Sequence, residues 1–166
     1  MSIGVITAKS GAAVQDILTT ISRRWPLAEV KVYPSLVQGI QASEAIVKNL
    51  ALADGGNHDV VLLARGGGAI EDLWCFNEET VARAVYAMSS VIVTGVGHET
   101  DTTLVDYVSD ARAPTPTAAA ELITPDLEEV RMHVALLRRR MIKDMDTRLQ
   151  LARQAVEPVK QHRYMK

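Results

Sequence analysis

The chain has 166 residues, of which 48% are hydrophobic and 23% are charged, and its net charge is −2. This composition is typical of a globular domain with a sizeable core and excludes a disordered or fibrous chain. No apolar run reaches the length of a membrane-spanning helix, and the first residues lack the pattern of a signal peptide, so we expect no membrane association. The single cysteine, Cys75, excludes an internal disulfide and favours a reducing, cytoplasmic location.

Charge is distributed unevenly along the chain. Residues 1–125 hold 8 Lys and Arg against 14 Asp and Glu, a balance of −6, whereas residues 126–166 hold 10 against 6, a balance of +4. An acidic domain does not attract a polyanion through its overall field. Any nucleic-acid site in the front part must therefore be local.

The front part alternates between strands and helices. Apolar strands are predicted at 3–7, 29–34, 59–65 and 90–97, and helices with apolar residues at helical spacing are predicted between them, at 13–25, 39–54 and 77–89. This order with short links predicts an α/β fold, namely an open parallel sheet of about four strands with flanking helices. The continuously apolar strands support it, because a parallel sheet is buried on both faces.

The pattern changes twice after the fourth strand. Residues 98–125 are rich in Thr, Ala and Pro, and "APTPT" predicts a rigid extended element. From Leu127 to Val159 apolar residues recur every three or four positions, which is heptad spacing with one stutter. We therefore predict two parts, an α/β domain at 1–125 and one long helix at 126–166 with a single apolar stripe.

Polar clusters follow three of the predicted strands, and parallel strands place such loops at one edge of the sheet, where ligands bind. After the first strand come Lys9, Ser10 and Gly11, with Asp16 one turn into the helix; after the third come Arg65, Gly66, Gly67 and Gly68; after the fourth come His98, Glu99 and Asp101.

The glycine loop after the third strand suits an anion. Without Cβ atoms, successive backbone N–H groups can turn toward a phosphate, and the Arg65 guanidinium adds a fork of donors. The alternative is that "GGG" is simply a tight turn, since neither a G-x-G-x-x-G fingerprint nor a P-loop is present.

His98 has two carboxylates nearby in sequence, Glu99 and Asp101. A carboxylate can hold the imidazole in one tautomer and raise its pKa, and the ring can then move protons during hydrolysis. The alternative is a structural histidine. A metal held by His98, Glu99, Asp101 and Asp16 is a further alternative, but the spacing lacks the second histidine of H-E-x-x-H, so no metal site is predicted.

Other polar and aromatic residues are assigned simpler roles. His58, His133 and His162 are interpreted as surface residues, Asp106 and Asp110 as facing solvent, and Cys75 as a small core residue. Trp74 and Phe76 have two interpretations, packing in the core or stacking on bases, and the core is favoured.

Several blocks of the sequence together resemble a known family. "RGGGAIEDLW", "GHETD" and "RAPTPTAAAE", in this order and with "GAAVQDIL" and "YPSLVQG" before them, resemble the catalytic region of the exodeoxyribonuclease VII large subunit. The resemblance covers about residues 3–125, and the basic helix that follows resembles the start of that family's helical region. Ala69 stands where the family commonly has Ser, and Ser90 where it commonly has Pro.

The resemblance implies an exonuclease that hydrolyses phosphodiester bonds of single-stranded DNA from both ends and releases short oligonucleotides. It implies that Asp16, Arg65, His98 and Asp101 are catalytic and that no divalent metal is strictly required. Gly66, Gly67 and Gly68 are assigned with Arg65 to the scissile phosphate. Second-rank phosphate contacts are assigned to Lys9, Ser10, Arg112 and Thr115, and Gly11 is included among the DNA-binding residues.

The resemblance also implies partners. It assigns the catalytic domain to 1–125 and makes 126–166 the start of a coiled-coil or helical region that binds the small subunit. A homodimer through the same stripe is the alternative. Because the chain begins directly on a strand, without the OB-type domain of that family, we expect it to be a piece of a longer protein.

Two functions from other classes remain open from the sequence. One is a doubly wound module that binds a nucleotide or sugar phosphate at the glycine loop without cleaving a bond, which leaves "GHETD" without a role. The other is an assembly protein that recruits partners through its basic helix, which leaves the polar sheet edge unexplained.

Overall fold

The computed structural model describes residues 1–67, 70–97 and 101–164 and, within these ranges, the side chains of all residues except 70, 71 and 160–164. By its contacts the chain divides into two compact units, Met1–Pro125 and Asp126–Lys166. The first unit contains the sheet and the loops at its carboxyl edge.

The first unit consists of strands and helices that mostly alternate. The strands are β1 (Ser2–Thr7), β2 (Glu29–Pro34), β3 (Val60–Ala64), β4 (Ile92–Gly95) and β5 (Ala111–Arg112). The helices are α1 (Ala12–Arg24), α2 (Ala42–Asp54), α3 (Glu79–Tyr86), α4 (Leu104–Val108) and α5 (Pro116–Ile123), and a 3₁₀ segment covers Ile70–Asn77.

All described strand pairs are parallel, and the strand order is β2-β1-β3-β4-β5. The chain moves outward from β1 to β2, then passes back across β1 to β3 and continues in the other direction. Two loops therefore leave the sheet toward opposite faces after β1 and β3. Such a reversal opens a crevice at the carboxyl ends of the two strands, which is where open α/β sheets bind ligands.

Each face of the sheet has its own core. On one face, α1 and α5 cover Ile3, Val5 and Leu62. On the other face, α2, α3 and α4 cover Ile6, Leu63 and other apolar residues. Both faces being covered explains why the strands read as continuous apolar runs, and it confirms the predicted open parallel α/β sheet with flanking helices.

The segment after β4 differs from the prediction. Only "APTPT", residues 113–117, is predicted as extended, but α5 already begins at Pro116 within it, and the segment also carries α4 and a fifth strand. The side chain of Thr103 and that of Asp106 form a capping box that starts α4, while Thr115 caps α5 and Pro116 occupies its first turn. A capping box and a proline in the first turn are both typical of the amino-terminal end of a helix.

The interpretation of His58 as a surface residue is wrong. His58 is half-buried at the amino-terminal edge of the sheet, where its ring joins Ser2 Oγ and Tyr33 Oη at 2.8 Å each. Burial, together with the nearby Lys31 ammonium, lowers the pKa of His58. The ring therefore links β1 and β2 through these two hydrogen bonds.

The second unit contains one long helix, α6 (Leu127–Tyr164), which continues through Pro158. Its heptad residues are exposed along its length, including Val130, Leu137 and Met145. His133 is also exposed. In the part of the chain that the structure describes, no helix is both long enough and apolar enough to cross a membrane.

Candidate phosphate-binding site at the carboxyl edge of the sheet

A narrow cleft lies at the carboxyl ends of β3 and β4, with a cavity volume of about 30 Å³. It is formed where the glycine loop, the loop after β4 and the start of α5 meet. The polar and glycine residues that line it are Arg65, Gly66, Gly67, Gly97, Asp101 and Thr115. Thus the structure brings together several residues that are far apart in sequence and were predicted to share this edge.

Arg65 is the charged residue deepest in this edge, with only 4% of its side chain exposed. Its backbone N–H donates to Gly95 O at 3.2 Å, which fixes it beside the end of β4. Its Nη2 donates to Asp72 Oδ2 at 2.9 Å. A buried guanidinium is tolerated only when it is paired, so Asp72 stabilises the cation where it lines the cleft.

Asp72 is not among the site residues predicted from the sequence. The sequence does contain a hint of this pair, because Asp72 lies in "EDLW", only seven positions after Arg65. What the sequence does not show is that the 3₁₀ segment turns the chain back, so that this carboxylate reaches the guanidinium.

The surroundings of Gly66 and Gly67 in the glycine loop differ. A Cβ on Gly66 would lie 3.3 Å from Ala13 Cβ on α1, so the loop packs closely on that helix. A Cβ on Gly67 would meet no heavy atom within 4 Å among the described residues. Gly67 therefore presents its backbone toward open space at the cleft, where a ligand can approach closely.

Gly97 and Asp101, which follow β4, lie against each other. A Cβ on Gly97 would clash with the backbone carbonyl of Asp101, so the chain returns to Gly97 at Asp101. Both residues line the cleft. The segment between them contains His98, which lies outside the described residues, as does Gly68 of the glycine loop.

The start of α5 closes the remaining side of the cleft. Thr115 and Pro116 line it, and the Thr115 hydroxyl accepts a hydrogen bond from Ala118 N at 3.0 Å. Thr115 is thus a helix cap as well as a cleft residue. The amino-terminal end of a helix carries a partial positive charge, which adds to that of Arg65 and favours an anion here.

Asp16 lies on the exposed surface of α1 and is not among the residues that line the cleft. On the same helix, Arg23 Nη2 lies 3.5 Å from Glu121 Oε1 on α5. The two helices run in parallel, so counting back two turns from this contact places Asp16 level with the start of α5. Asp16 therefore lies near the same edge on α1, outside the cleft itself.

Ser10 and Gly11 lie in the exposed loop between β1 and α1. Gly11 is the residue before α1 and has φ of +137°, a conformation that residues with a side chain rarely adopt. The turn alone explains why a glycine occupies position 11, and a contact with phosphate is an additional prediction for Ser10 and Gly11.

Arg112 is not among the residues that line the cleft. Its Nε lies 3.6 Å from Asp106 Oδ2, beneath the loop after β4. The expectation that Asp106 faces solvent is wrong, since 1% of its side chain is exposed. Asp106 accepts hydrogen bonds from Thr94 Oγ1 at 2.6 Å and from Thr103 N and Oγ1 at 2.9 and 2.8 Å.

The Asp106 network joins β4, α4 and β5 next to the site. Because Asp106 holds Thr103, it anchors the chain two residues after Asp101, and through Arg112 it anchors the strand that leads to Thr115. Asp110 remains exposed, and its carboxylate accepts a hydrogen bond from Ile92 N at 2.8 Å.

The two aromatic residues of "LWCF" differ in environment. Phe76 is fully buried and belongs to the core, as favoured from the sequence, whereas Trp74 is 73% exposed, so the core interpretation is wrong for it. Cys75 is buried, as predicted, and burial raises its pKa to about 11. The described residues contain no group of three or more His, Cys, Asp and Glu side chains that is placed to hold a metal ion.

Comparisons with known proteins support the sequence resemblance. The family model "Exonuclease VII, large subunit" matches residues 1–166. Proteins named "Exodeoxyribonuclease 7 large subunit" are 49% identical over 160 residues in Lysinibacillus sphaericus, 50% over 153 in Nitratiruptor sp. and 51% over 148 in Geobacillus kaustophilus. These alignments cover 96%, 92% and 89% of this chain.

The same alignments cover 35%, 37% and 33% of the relatives, so the chain spans about a third of their length. A solved structure titled "Solution structure of a phosphate-loop protein" has 14% sequence identity and a TM-score of 0.38, and it covers 65% of this chain and 85% of its own. With the family model matched over its whole length and half of its residues shared with curated members, the chain belongs to the exonuclease VII large subunit family.

Proposed function

We propose that this chain is the nuclease portion of an exonuclease VII large subunit. It hydrolyses phosphodiester bonds of single-stranded DNA from both ends and releases short oligonucleotides. The proposal is supported by the names of its relatives and, above all, by the buried Arg65 guanidinium in a cleft with glycine amides and a helix start. These positive groups are placed to stabilise the negative charge that a phosphodiester gains in the transition state of its hydrolysis.

In the proposed mechanism, Arg65 and the loop Gly66–Gly68 bind the scissile phosphate. Hydrolysis places extra negative charge on the phosphoryl oxygens, and a fixed guanidinium stabilises that charge without having to reorganise. The Asp72 carboxylate holds the guanidinium in position. Ser10, Gly11, Arg112 and Thr115 contribute contacts to phosphates or to the loops that carry them.

Proton transfer is assigned to His98 and Asp16. One of them takes the proton of the attacking water and the other protonates the leaving oxygen, and Asp101 orients His98. Asp16 lies on α1 near this edge, and in this proposal it is the second proton carrier or orients Arg65. Arg65 supplies the charge stabilisation that a metal supplies in other nucleases, so the reaction needs no divalent cation in this proposal.

The second unit is proposed to bind the exonuclease VII small subunit through the apolar stripe of α6. An exposed apolar stripe at heptad spacing is what a helical partner covers. A homodimer through the same stripe is the alternative. We propose a cytoplasmic location, which the free Cys75 thiol fits.

The function is tested with end-labelled single-stranded DNA in the presence of EDTA. The chain is expected to release short oligonucleotides, and Arg65→Lys is expected to lose about 100-fold or more in kcat, because a planar fork is replaced by a point charge. Arg83→Lys is the matched control, since Arg83 is an exposed arginine on α3. Near-full activity of Arg65→Lys contradicts the assigned role.

Two further reactions make the result specific. His98→Ala is expected to abolish cleavage, and equal cleavage by this variant and the original chain points to a contaminant or to another site. A duplex of the same sequence is expected to be left intact, apart from any frayed ends. Circular dichroism melts of all variants establish that the lost activity does not come from unfolding.

A further inference from the structure

Trp74 is an anomaly within the 3₁₀ segment that carries it. Its neighbours Leu73, Cys75 and Phe76 are all buried, with exposures of 5% or less, whereas 73% of Trp74 is exposed. Holding a large aromatic side chain in water forgoes the free energy of its burial. The segment is therefore rigidly anchored by its neighbours and presents one indole ring outward.

A second pocket lies against this ring, with a cavity volume of about 320 Å³. Its wall includes Trp74 and Ile40, and Ile40 is fully exposed. Gly39, which precedes Ile40 and has φ of +87°, also lines the pocket. A pocket of this size with an aromatic and an aliphatic wall suits a flat heterocycle.

The charges at the rim identify which part of a nucleotide this pocket accepts. Asp72 and Glu78 both line it. Two carboxylates repel a phosphate, but they accept hydrogen bonds from the amino and imino N–H groups of bases. The pocket thus has the opposite preference to the Arg65 cleft, which carries the positive groups.

The two sites are directly connected. Asp72 lines the pocket, and its Oδ2 accepts a hydrogen bond from Arg65 Nη2 in the cleft at 2.9 Å. Leu73 lines the cleft and Trp74 lines the pocket, so one residue step along the chain separates a wall of one from a wall of the other. The two walls are thus carried by neighbouring residues, as a nucleotide carries its phosphate and its base on either side of one sugar.

We propose that Trp74 and Ile40 form a subsite for an unpaired base of the strand whose phosphate lies at Arg65. This inference rests on the proposed function. The indole stacks on the base, the Asp72 and Glu78 carboxylates meet its polar edge, and Asp72 links base binding to the position of the guanidinium. Only an unpaired base can leave its strand to enter the pocket, so the subsite selects single strands.

The test uses the whole chain in a Trp25→Phe background, so that Trp74 is the sole source of indole fluorescence. The probes are a short oligothymidylate and an oligomer of the same length made of abasic deoxyribose phosphate, which has the same charges and no bases. Quenching is read on mixing, before hydrolysis proceeds. Oligothymidylate is expected to quench Trp74 strongly, and the abasic oligomer is expected to bind with little quenching.

Affinities of variants give the second readout. Trp74→Ala is expected to weaken oligothymidylate binding about tenfold or more, since stacking on an aromatic ring is lost, and to leave binding of the abasic oligomer unchanged. Trp74→Phe retains most of the affinity because it keeps an aromatic face. Tyr86→Ala is the matched control, because Tyr86 is 76% exposed and lies at the end of α3, toward the other edge of the sheet.

Each contrary outcome has a distinct meaning. If Trp74→Ala binds both oligomers like the original chain, the base subsite is wrong and the phosphate site stands. If the original chain binds neither oligomer, the phosphate site fails as well, and the proposed function with it. If Trp74→Ala leaves DNA affinity unchanged but removes concentration-dependent self-association in sedimentation, the patch is a contact between copies and the proposal is overturned.

Discussion

The ion pair of Arg65 and Asp72 stabilises a buried cation and fixes its orientation at the candidate site. The guanidinium is almost fully withdrawn from water, whereas 36% of the Asp72 side chain remains exposed. The pair thus lies at the boundary between the core and solvent. A phosphate that enters the cleft meets a cation that is already desolvated and oriented, so little free energy is spent on arranging it.

Cys75 provides a pH-dependent prediction at the residue scale. Burial raises the pKa of the Cys75 thiol from its ordinary value of 9.0 to about 11. The folded thiol keeps its proton in this interval whereas the unfolded thiol loses it, so the contribution of Cys75 to stability is full below pH 9 and is lost as the pH rises toward 11. The loss is on the order of 2 kcal/mol in the free energy of unfolding.

Urea titrations at pH 8 and pH 10.5, on the chain and on Cys75→Ala, measure this loss. The variant removes the thiol and is expected to show a shallower decline between the two pH values, although it is less stable at pH 8. Lys and Tyr titrations affect both proteins equally and cancel in the difference. Identical declines in the two proteins contradict a buried, protonated thiol at position 75.

At the scale of elements, a substitution in the glycine loop is expected to impair DNA binding without lowering the stability of the fold. Gly67→Ala is expected to leave the melting temperature within about two degrees, because a Cβ there meets open space among the described residues. Binding of single-stranded DNA and turnover are expected to fall at least tenfold, because the methyl group blocks close approach of a phosphate to the backbone. Melting curves and cleavage rates in EDTA measure both effects.

Gly11→Ala is the matched control for this experiment. Its Cβ also meets open space, but the backbone has φ of +137°, so the substitution strains the start of α1 and lowers stability by about 1 kcal/mol or more. A large loss of stability in Gly67→Ala contradicts the open environment of that position. Unchanged turnover in a stable Gly67→Ala contradicts phosphate contact at the loop.

The elements that sequence periodicity predicts are those long enough to show a period. The bounds of β2 are the predicted ones, and β1, β3 and α1 begin or end within a residue or so of the prediction. By contrast, β5 has two residues and α4 has five, so neither completes the pattern that periodicity needs. The sequence features that mark the short helices are local caps, namely Thr103 with Asp106 for α4 and Thr115 with Pro116 for α5.

For the site, the sequence identifies which loops meet but not which side chains pair. The rule that parallel strands end at one edge suffices to group Arg65, Gly97 and Asp101. It does not show that Asp72 returns to Arg65 or that Asp106 is buried, because each depends on how a short segment turns. Nor does it distinguish Phe76 from Trp74, since only packing determines which of two neighbouring aromatic rings enters the core.

At the scale of the whole molecule, the long helix carries a prediction about assembly. Leu137 lies within the heptad stripe of α6 and is 44% exposed. Leu137→Glu is expected to weaken binding of the exonuclease VII small subunit at least tenfold, because burying a leucine contributes about 1.5–3 kcal/mol and a carboxylate cannot replace it. Titration calorimetry with the purified small subunit measures the affinity.

Lys143→Gln is the control for this substitution. It also changes the charge by one unit in the negative direction, but position 143 lies on the other side of α6 from the stripe. It is expected to bind the small subunit normally. Equal weakening by the two variants indicates that the charge of the helix, rather than its apolar stripe, determines the affinity.

The strand order has a consequence for how the protein acquires its site during folding. β1 pairs with β2 across a short separation, since Ser2 lies opposite Glu29, but it pairs with β3 across a longer one, since Ile3 lies opposite Val60, 57 positions later. Contacts between distant segments form slowly, because the intervening chain must close a long loop first. The crevice between β1 and β3 therefore arises only when the second pairing forms, and the phosphate cleft beside it also requires β4 to pair with β3, where Val61 lies opposite Ile92.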